Sequence, residues 1–153
     1  MNTNTGSGLP YAEDAKVSQK TQKTQKEQPI ENDWSHEIIG AAVEVQRVLG
    51  TGLLESAYAG AFALELTALQ LRFDREVPVA AIYKGQNLGL GYRADFIVEN
   101  SVIVELKAID AVTEMHRAQL LSYLRLADLK LGLLINFNVF PVVKAIHRVV
   151  NKL

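Results

Sequence analysis

Two apolar stretches three residues apart constrain this chain more than any other feature. They are Tyr92-Arg93-Ala94-Asp95-Phe96-Ile97-Val98 and Val102-Ile103-Val104-Glu105-Leu106-Lys107. Both are rich in β-branched or aromatic residues and both alternate, the pattern of paired strands. Strand side chains point to opposite faces in turn. Tyr92, Ala94, Phe96 and Val98 are therefore expected on one face, and Arg93, Asp95 and Ile97 on the other. In the second stretch Val102, Val104, Leu106 and Ala108 share one face, and Ile103, Glu105 and Lys107 the opposite one. A three-residue loop, Glu99-Asn100-Ser101, pairs Phe96 with Val104 and Val98 with Val102, which makes a continuous apolar face. A two-residue loop would set apolar residues against charged ones. The favoured register places Asp95 opposite Glu105 and Arg93 opposite Lys107, with Cβ atoms of opposed residues about 4.5–5.5 Å apart.

Two carboxylates that close repel unless one is protonated or a cation lies between them. Two carboxylates and a backbone carbonyl form a hard oxygen set suited to Mg²⁺ or Mn²⁺. Lys107, on the same side as Glu105, is placed to orient an attacking water or to stabilise charge developing on a phosphate. The chain has no cysteine, and His36, His116 and His147 are scattered, so zinc is disfavoured. The competing reading is a solvated charged face on which each acid finds an arginine or lysine.

Around this hairpin the spacing predicts further elements. Ser35 is a candidate cap for a helix with apolar positions Ile38, Ile39, Ala42, Val45, Val48 and Leu49, interrupted by Gly50 and Gly52. A second helix is expected over about Leu53–Gln70. Strands are expected near Phe73–Tyr83, Leu90–Val98 and Val102–Ile109, with a turn at Gly85-Gln86-Asn87. Thr113 is expected to cap a third helix reaching Ala127, and Lys130–Asn136 and Val142–Val150 read as two more strands. The order is ααβββαββ, an α+β fold with a mixed central sheet flanked by helices. Residues 1–33, with the triplet run Ser18-Gln19-Lys20, Thr21-Gln22-Lys23, Thr24-Gln25-Lys26, are too polar to bury a core and read as a disordered tail. Residues 34–153 form the expected domain.

On the second helix Glu55 has two readings. An acid in the first turn favours the helix dipole, but Glu55 also leads a stripe of Ala59, Phe62 and Leu66, where an inward acid needs a partner or a metal. On the third helix His116, Gln119 and Tyr123 share a face. That face is either the wet side of the helix or a row of donors for a phosphate or a water.

Charge argues neither way. The net charge is −1, from 16 basic and 17 acidic residues. Four of the lysines and five of the acids lie in residues 1–33, so the rest carries twelve of each. Proteins that grip long duplexes usually show a basic surplus. The polar start shows no signal peptide, no apolar stretch is long enough to span a bilayer, and the lack of cysteine suits a reducing compartment. A cytoplasmic protein is the expectation.

Taken together, these motifs resemble the PD-(D/E)XK nuclease superfamily, and within it the small GxxExxY proteins. The naming motif stands as Gly52-x-x-Glu55-x-x-Tyr58, the acidic core as Tyr92-Arg93-Ala94-Asp95 and Val104-Glu105-Leu106-Lys107. Gln119-x-x-x-Tyr123 is similar to an extra motif of exonuclease domains in recombination helicases, and Leu133-Leu134-Ile135-Asn136-Phe137 to the family's penultimate strand. The residue before Asp95 is Ala94 where the family name has proline. The resemblance implies a restriction-endonuclease-like fold with a four-stranded mixed core sheet. It implies catalytic roles for Asp95, Glu105, Lys107 and Glu55, and a Mg²⁺ or Mn²⁺ held by Asp95, Glu105, the Leu106 carbonyl and Glu55. It also implies substrate contacts at Gln119, Tyr123, His116 and Tyr58.

The function expected is a metal-dependent nuclease hydrolysing phosphodiester bonds, in DNA rather than RNA, with no membrane partner and with a homodimer among the possible assemblies. The alternatives are an inactive nuclease-fold module that binds nucleic acid or a protein, and a plain dimerising structural protein.

Overall fold

The structure, a computed structural model, describes residues 33–152. The expected tail therefore lies outside the described residues, apart from Asp33. The described elements are α1 (Ser35–Leu49), α2 (Glu55–Ala68), β1 (Phe73–Tyr83), β2 (Gln86–Val98), β3 (Val102–Lys107), α3 (Glu114–Ala127), β4 (Leu131–Asn136), a 3₁₀ turn (Val142–Ala145) and β5 (Ile146–Val150). The strands lie in the order β1-β2-β3-β4-β5. β3 and β4 run parallel and every other pair is antiparallel. Parallel neighbours need a long crossover, and α3 supplies it. The sheet is thus mixed, with the five strands of the expected ααβββαββ order.

Helices cover both faces. From α1 and α2, Ile38, Val45, Phe62 and Leu66 pack with Phe96, Val104, Leu106, Leu133 and Ile135. From α3, Leu120 and Leu124 pack with Val79, Ile103 and Leu134. The approach of α3 is close: a Cβ on Gly132 would meet the Leu120 side chain at 2.9 Å. β3 and β4 are buried on both faces, as strands beneath helices must be.

Several expected boundaries shift for identifiable reasons. Ser35 does not cap α1. Asp33 accepts the Ser35 N–H at 2.9 Å and also bonds its hydroxyl, while Arg148 pairs with Asp33 at 2.9 Å. The hairpin turn between β1 and β2 is Lys84-Gly85, one step earlier than expected. Both residues have positive φ (47° and 78°), as a tight two-residue hairpin requires, and Tyr83 pairs with Gln86. The run from Val142 to Val150 is not one strand. Its first four residues form the 3₁₀ turn because Gln46, buried on α1, reaches across: its Nε2 donates to the Phe137 and Val139 carbonyls (3.0 and 2.7 Å), and its Oε1 accepts the Val142 N–H (2.8 Å).

One departure shapes the site. Phe96 and Val98 face α1 and α2 as expected, but Ala94 packs on the α3 side and the Tyr92 ring lies 5.1 Å from Tyr123 of α3. The two sets do not share a face, so β2 changes sides at Asp95. On the adjoining strand, between the pairs Arg75↔Phe96 and Val77↔Ala94, Glu76 takes φ 51°. A non-glycine residue in that region is uncommon and costs of order 1–3 kcal/mol, a cost that clusters at functional sites.

Candidate active site

The site lies where β2 parts from β3. Their ladder comprises Val98↔Val102, Ile97↔Ile103 and Phe96↔Val104, the register expected from the three-residue loop. Beyond it, side chains replace backbone pairing. Asp95 Oδ2 accepts the Leu106 N–H at 2.8 Å, and Glu105 Oε1 accepts the Asp95 N–H at 3.2 Å. Each acid thus reaches the opposite strand, and the two carboxyl groups lie together at the fork. Arg93 does not oppose Lys107. The ladder to β3 has ended by then, and Arg93 pairs with Pro78 of β1.

Burial and repulsion act together on this pair. Glu105 is only 8% exposed. Loss of water around its carboxyl, then the charge of Asp95, pushes its pKa up to about 8, with Lys107 pulling the other way. Two acids in this state favour either a shared proton or a cation. Lys107, half-buried at the end of β3, has its backbone fixed by the Phe137 N–H donating to its carbonyl at 2.9 Å. Asn136, opposite Lys107 on β4, is buried and holds the following loop. Its side chain accepts the Ile109 N–H at 3.1 Å and donates to the Ile109 carbonyl at 2.9 Å. Neither the pinning role of Asn136 nor that of Gln46 was legible from local pattern, since both act across many residues.

Glu55 is the first residue of α2 and is exposed. Its carboxyl is nonetheless raised in pKa by partial burial first, then by Asp95, with Lys107 opposing. It lines a cleft of about 200 Å³ with Ser56, Ala59, Arg75, Glu76, Asp95 and Phe96. Tyr123 is buried on α3, and its phenol is raised by burial and then by the charge of Glu105.

The other expected substrate contacts are placed differently. Gln119 is exposed on α3. His116 serves the helix start: its Nδ1 accepts the Thr113 N–H at 3.0 Å. Tyr58 is a correction. It is fully buried, stacks on Phe137 with ring centroids 4.7 Å apart, donates its hydroxyl proton to the Gly50 carbonyl at 2.7 Å and accepts the Leu53 N–H at 3.2 Å. It holds the α1–α2 loop, and with it the start of the helix that carries Glu55.

The donors at the fork fit a hard divalent cation, since Asp95 and Glu105 offer paired carboxylate oxygens whose mutual repulsion a cation would relieve. Among the described residues no group of three His, Cys, Asp or Glu side chains converges to hold a metal. Glu55 shares the cleft with Asp95, whose charge raises its proton affinity.

A mixed sheet between helices, opened at two acids with a lysine one step beyond, defines a nuclease-type architecture. The family model for the PD-(D/E)XK nuclease superfamily matches residues 32–149, and the chain belongs to that superfamily. No curated protein and no solved structure matches the chain. Among the described residues no helix is long and apolar enough to cross a membrane.

Proposed function

We propose that this chain is a Mg²⁺- or Mn²⁺-dependent nuclease that hydrolyses phosphodiester bonds, with DNA favoured over RNA. The observation that carries the reading is the crossed pair at the fork, in which Asp95 and Glu105 bond one another's strands while burial and mutual repulsion raise the proton affinity of Glu105. Asp95 and Glu105 would hold the cation. The Leu106 carbonyl is the third donor: a strand residue points its N–H and C=O to the same side, and the Leu106 N–H points to Asp95. A divalent cation there supplies positive charge to the phosphate oxygens and makes water a better nucleophile.

The chain's own groups supply the rest. In hydrolysis a water oxygen bonds to phosphorus, the bond to the leaving sugar oxygen breaks, and that oxygen takes a proton from solvent. Lys107 donates to the phosphoryl oxygens as their charge grows. Glu55, with its raised proton affinity and open position, accepts the proton of the attacking water. Tyr123 steadies the Glu105 side from α3, and Gln119 and His116 extend that helix face toward the nucleic-acid backbone. Gly52-x-x-Glu55-x-x-Tyr58 supports placement among the GxxExxY proteins. A reducing, cytoplasmic setting and a homodimeric assembly are part of the same reading, the latter supported by Ile82, Tyr83, Leu88 and Leu90, exposed on the β1–β2 hairpin.

The test is cleavage of plasmid and single-stranded DNA by the full chain with Mn²⁺, with a chelator control and Glu105→Ala alongside. The expected result is chelator-sensitive cleavage that Glu105→Ala lowers by at least about a hundredfold. Equal cleavage by both proteins would mark a contaminant and defeat the proposal. Metal binding without any cleavage would favour the inactive binding module.

A further inference from the structure

Arg75 is a cation in the cleft that no acid among the described residues pairs with. It lies on β1 opposite Phe96, one residue along β2 from Asp95. Its guanidinium sits over the Phe96 ring, 5.3 Å from the centroid. Three acids, Glu55, Glu76 and Asp95, line the same cleft. Yet among the described residues Arg75 forms no ion pair, while Arg47, Arg72, Arg117 and Arg148 each do. Nor does Arg75 contribute to the shifts of Glu55 or Glu105, where Lys107 is the one cation acting on both. The left-handed Glu76 breaks strand alternation here, so Arg75 and Glu76, adjacent in sequence, both line the cleft.

An arginine packed over an aromatic ring has fewer orientations open to its planar donors, and that fork matches two oxygens of a phosphate. Resting on the nuclease reading above, we propose that Arg75 binds a backbone phosphate next to the scissile one, on the side of the acids away from Lys107. The substrate backbone then runs from Lys107 on β3, past Asp95 and Glu105, to Arg75 on β1. The even charge balance of residues 34–153 fits a site that grips few phosphates rather than a long duplex tract.

The experiment measures steady-state cleavage and binding of a labelled single-stranded oligodeoxynucleotide by the full chain, Arg75→Ala and Arg75→Lys, over a salt series. For Arg75→Ala the expected result is a KM raised about tenfold with kcat within about threefold, and a binding salt slope shallower by about 0.7. Mn²⁺ affinity and Tm should match the wild type, and Arg75→Lys should recover part of the loss. An unchanged KM and salt slope in Arg75→Ala, with an active wild type, would overturn this subsite and leave the nuclease reading intact. A fall in kcat alone would overturn it too. A wild type that neither cleaves nor binds would defeat the nuclease reading, and the subsite with it. If Arg75→Ala proves less stable than wild type, Arg75→Gln decides: a raised KM with a shallower salt slope supports the subsite, and a KM and salt slope equal to wild type overturn it.

Discussion

Lys107→Ala is expected to lower kcat for phosphodiester cleavage at saturating Mn²⁺ by about 10²–10³-fold while leaving Mn²⁺ affinity unchanged or tighter. The magnitude is that of removing one preorganised donor from a site of developing negative charge. The direction of the affinity change follows from charge. Lys107 lowers the proton affinity of both Glu105 and Glu55, so its ammonium already offsets part of the acids' field and competes with an incoming cation. Removing it leaves the acids more negative. Lys107→Arg keeps the charge but substitutes a planar fork for a compact ammonium, and an intermediate rate is expected. Single-turnover cleavage with titration of Mn²⁺ separates the two effects. Loss of Mn²⁺ binding in Lys107→Ala, or cleavage equal to wild type, would remove Lys107 from its role at the phosphate.

The second large effect is on stability. Glu105→Gln is expected to stabilise the metal-free protein at neutral pH by about 1–3 kcal/mol, or roughly 3–10 °C in Tm. The glutamine carbonyl can still accept the Asp95 N–H, while the cost of taking up a proton on folding, which Glu105 bears at neutral pH because burial and Asp95 disfavour its charged form, disappears. The pH dependence has a fixed sign. An unfolded glutamate loses its proton near 4.5, whereas folded Glu105 keeps its proton to about 8. Between those values the folded state holds more protons, so wild-type stability falls as pH rises. Below pH 4.5 both states are protonated and wild type and variant should converge. The gap opens through the window and is full above pH 8. Mn²⁺ should reverse the order above neutrality, since it stabilises only the protein that binds it. Thermal melts across pH, with and without Mn²⁺, give the answer. A pH-independent gap would mean that packing, not the buried charge, sets the difference.

Much of this centre was legible in the residues. Alternation and a three-residue loop were enough to give the Phe96–Val104 register, because any slip would have buried charges. Element order followed from period and punctuation. The rest depended on partners far along the chain. The side change of β2 at Asp95 coincides with the left-handed Glu76 on β1, which no pattern within β2 reveals. The 3₁₀ turn at Val142 exists because of Gln46, so a β-branched run that reads as strand is held otherwise. Tyr58 sat in a recognisable motif, but its hydroxyl closes a loop, which spacing alone cannot distinguish from a ligand contact. The His116 cap was the nearest miss: it stands three residues after Thr113, the spacing of a reciprocal cap, with histidine where glutamate is usual. Arg75 carried no signal, since its meaning comes from the acids it does not pair with.

Titration calorimetry of Mn²⁺ into the full chain, with Asp95→Asn and Glu105→Gln in parallel, tests the paired-acid centre most directly. Asn at position 95 can still accept the Leu106 N–H, so the fork should stay closed while a ligand charge is lost. The expected result is a saturable isotherm for the wild type that weakens at least tenfold in each variant, with all three proteins folded. A folded wild type that binds no Mn²⁺, or an Asp95→Asn protein that binds it as tightly as wild type, would contradict it.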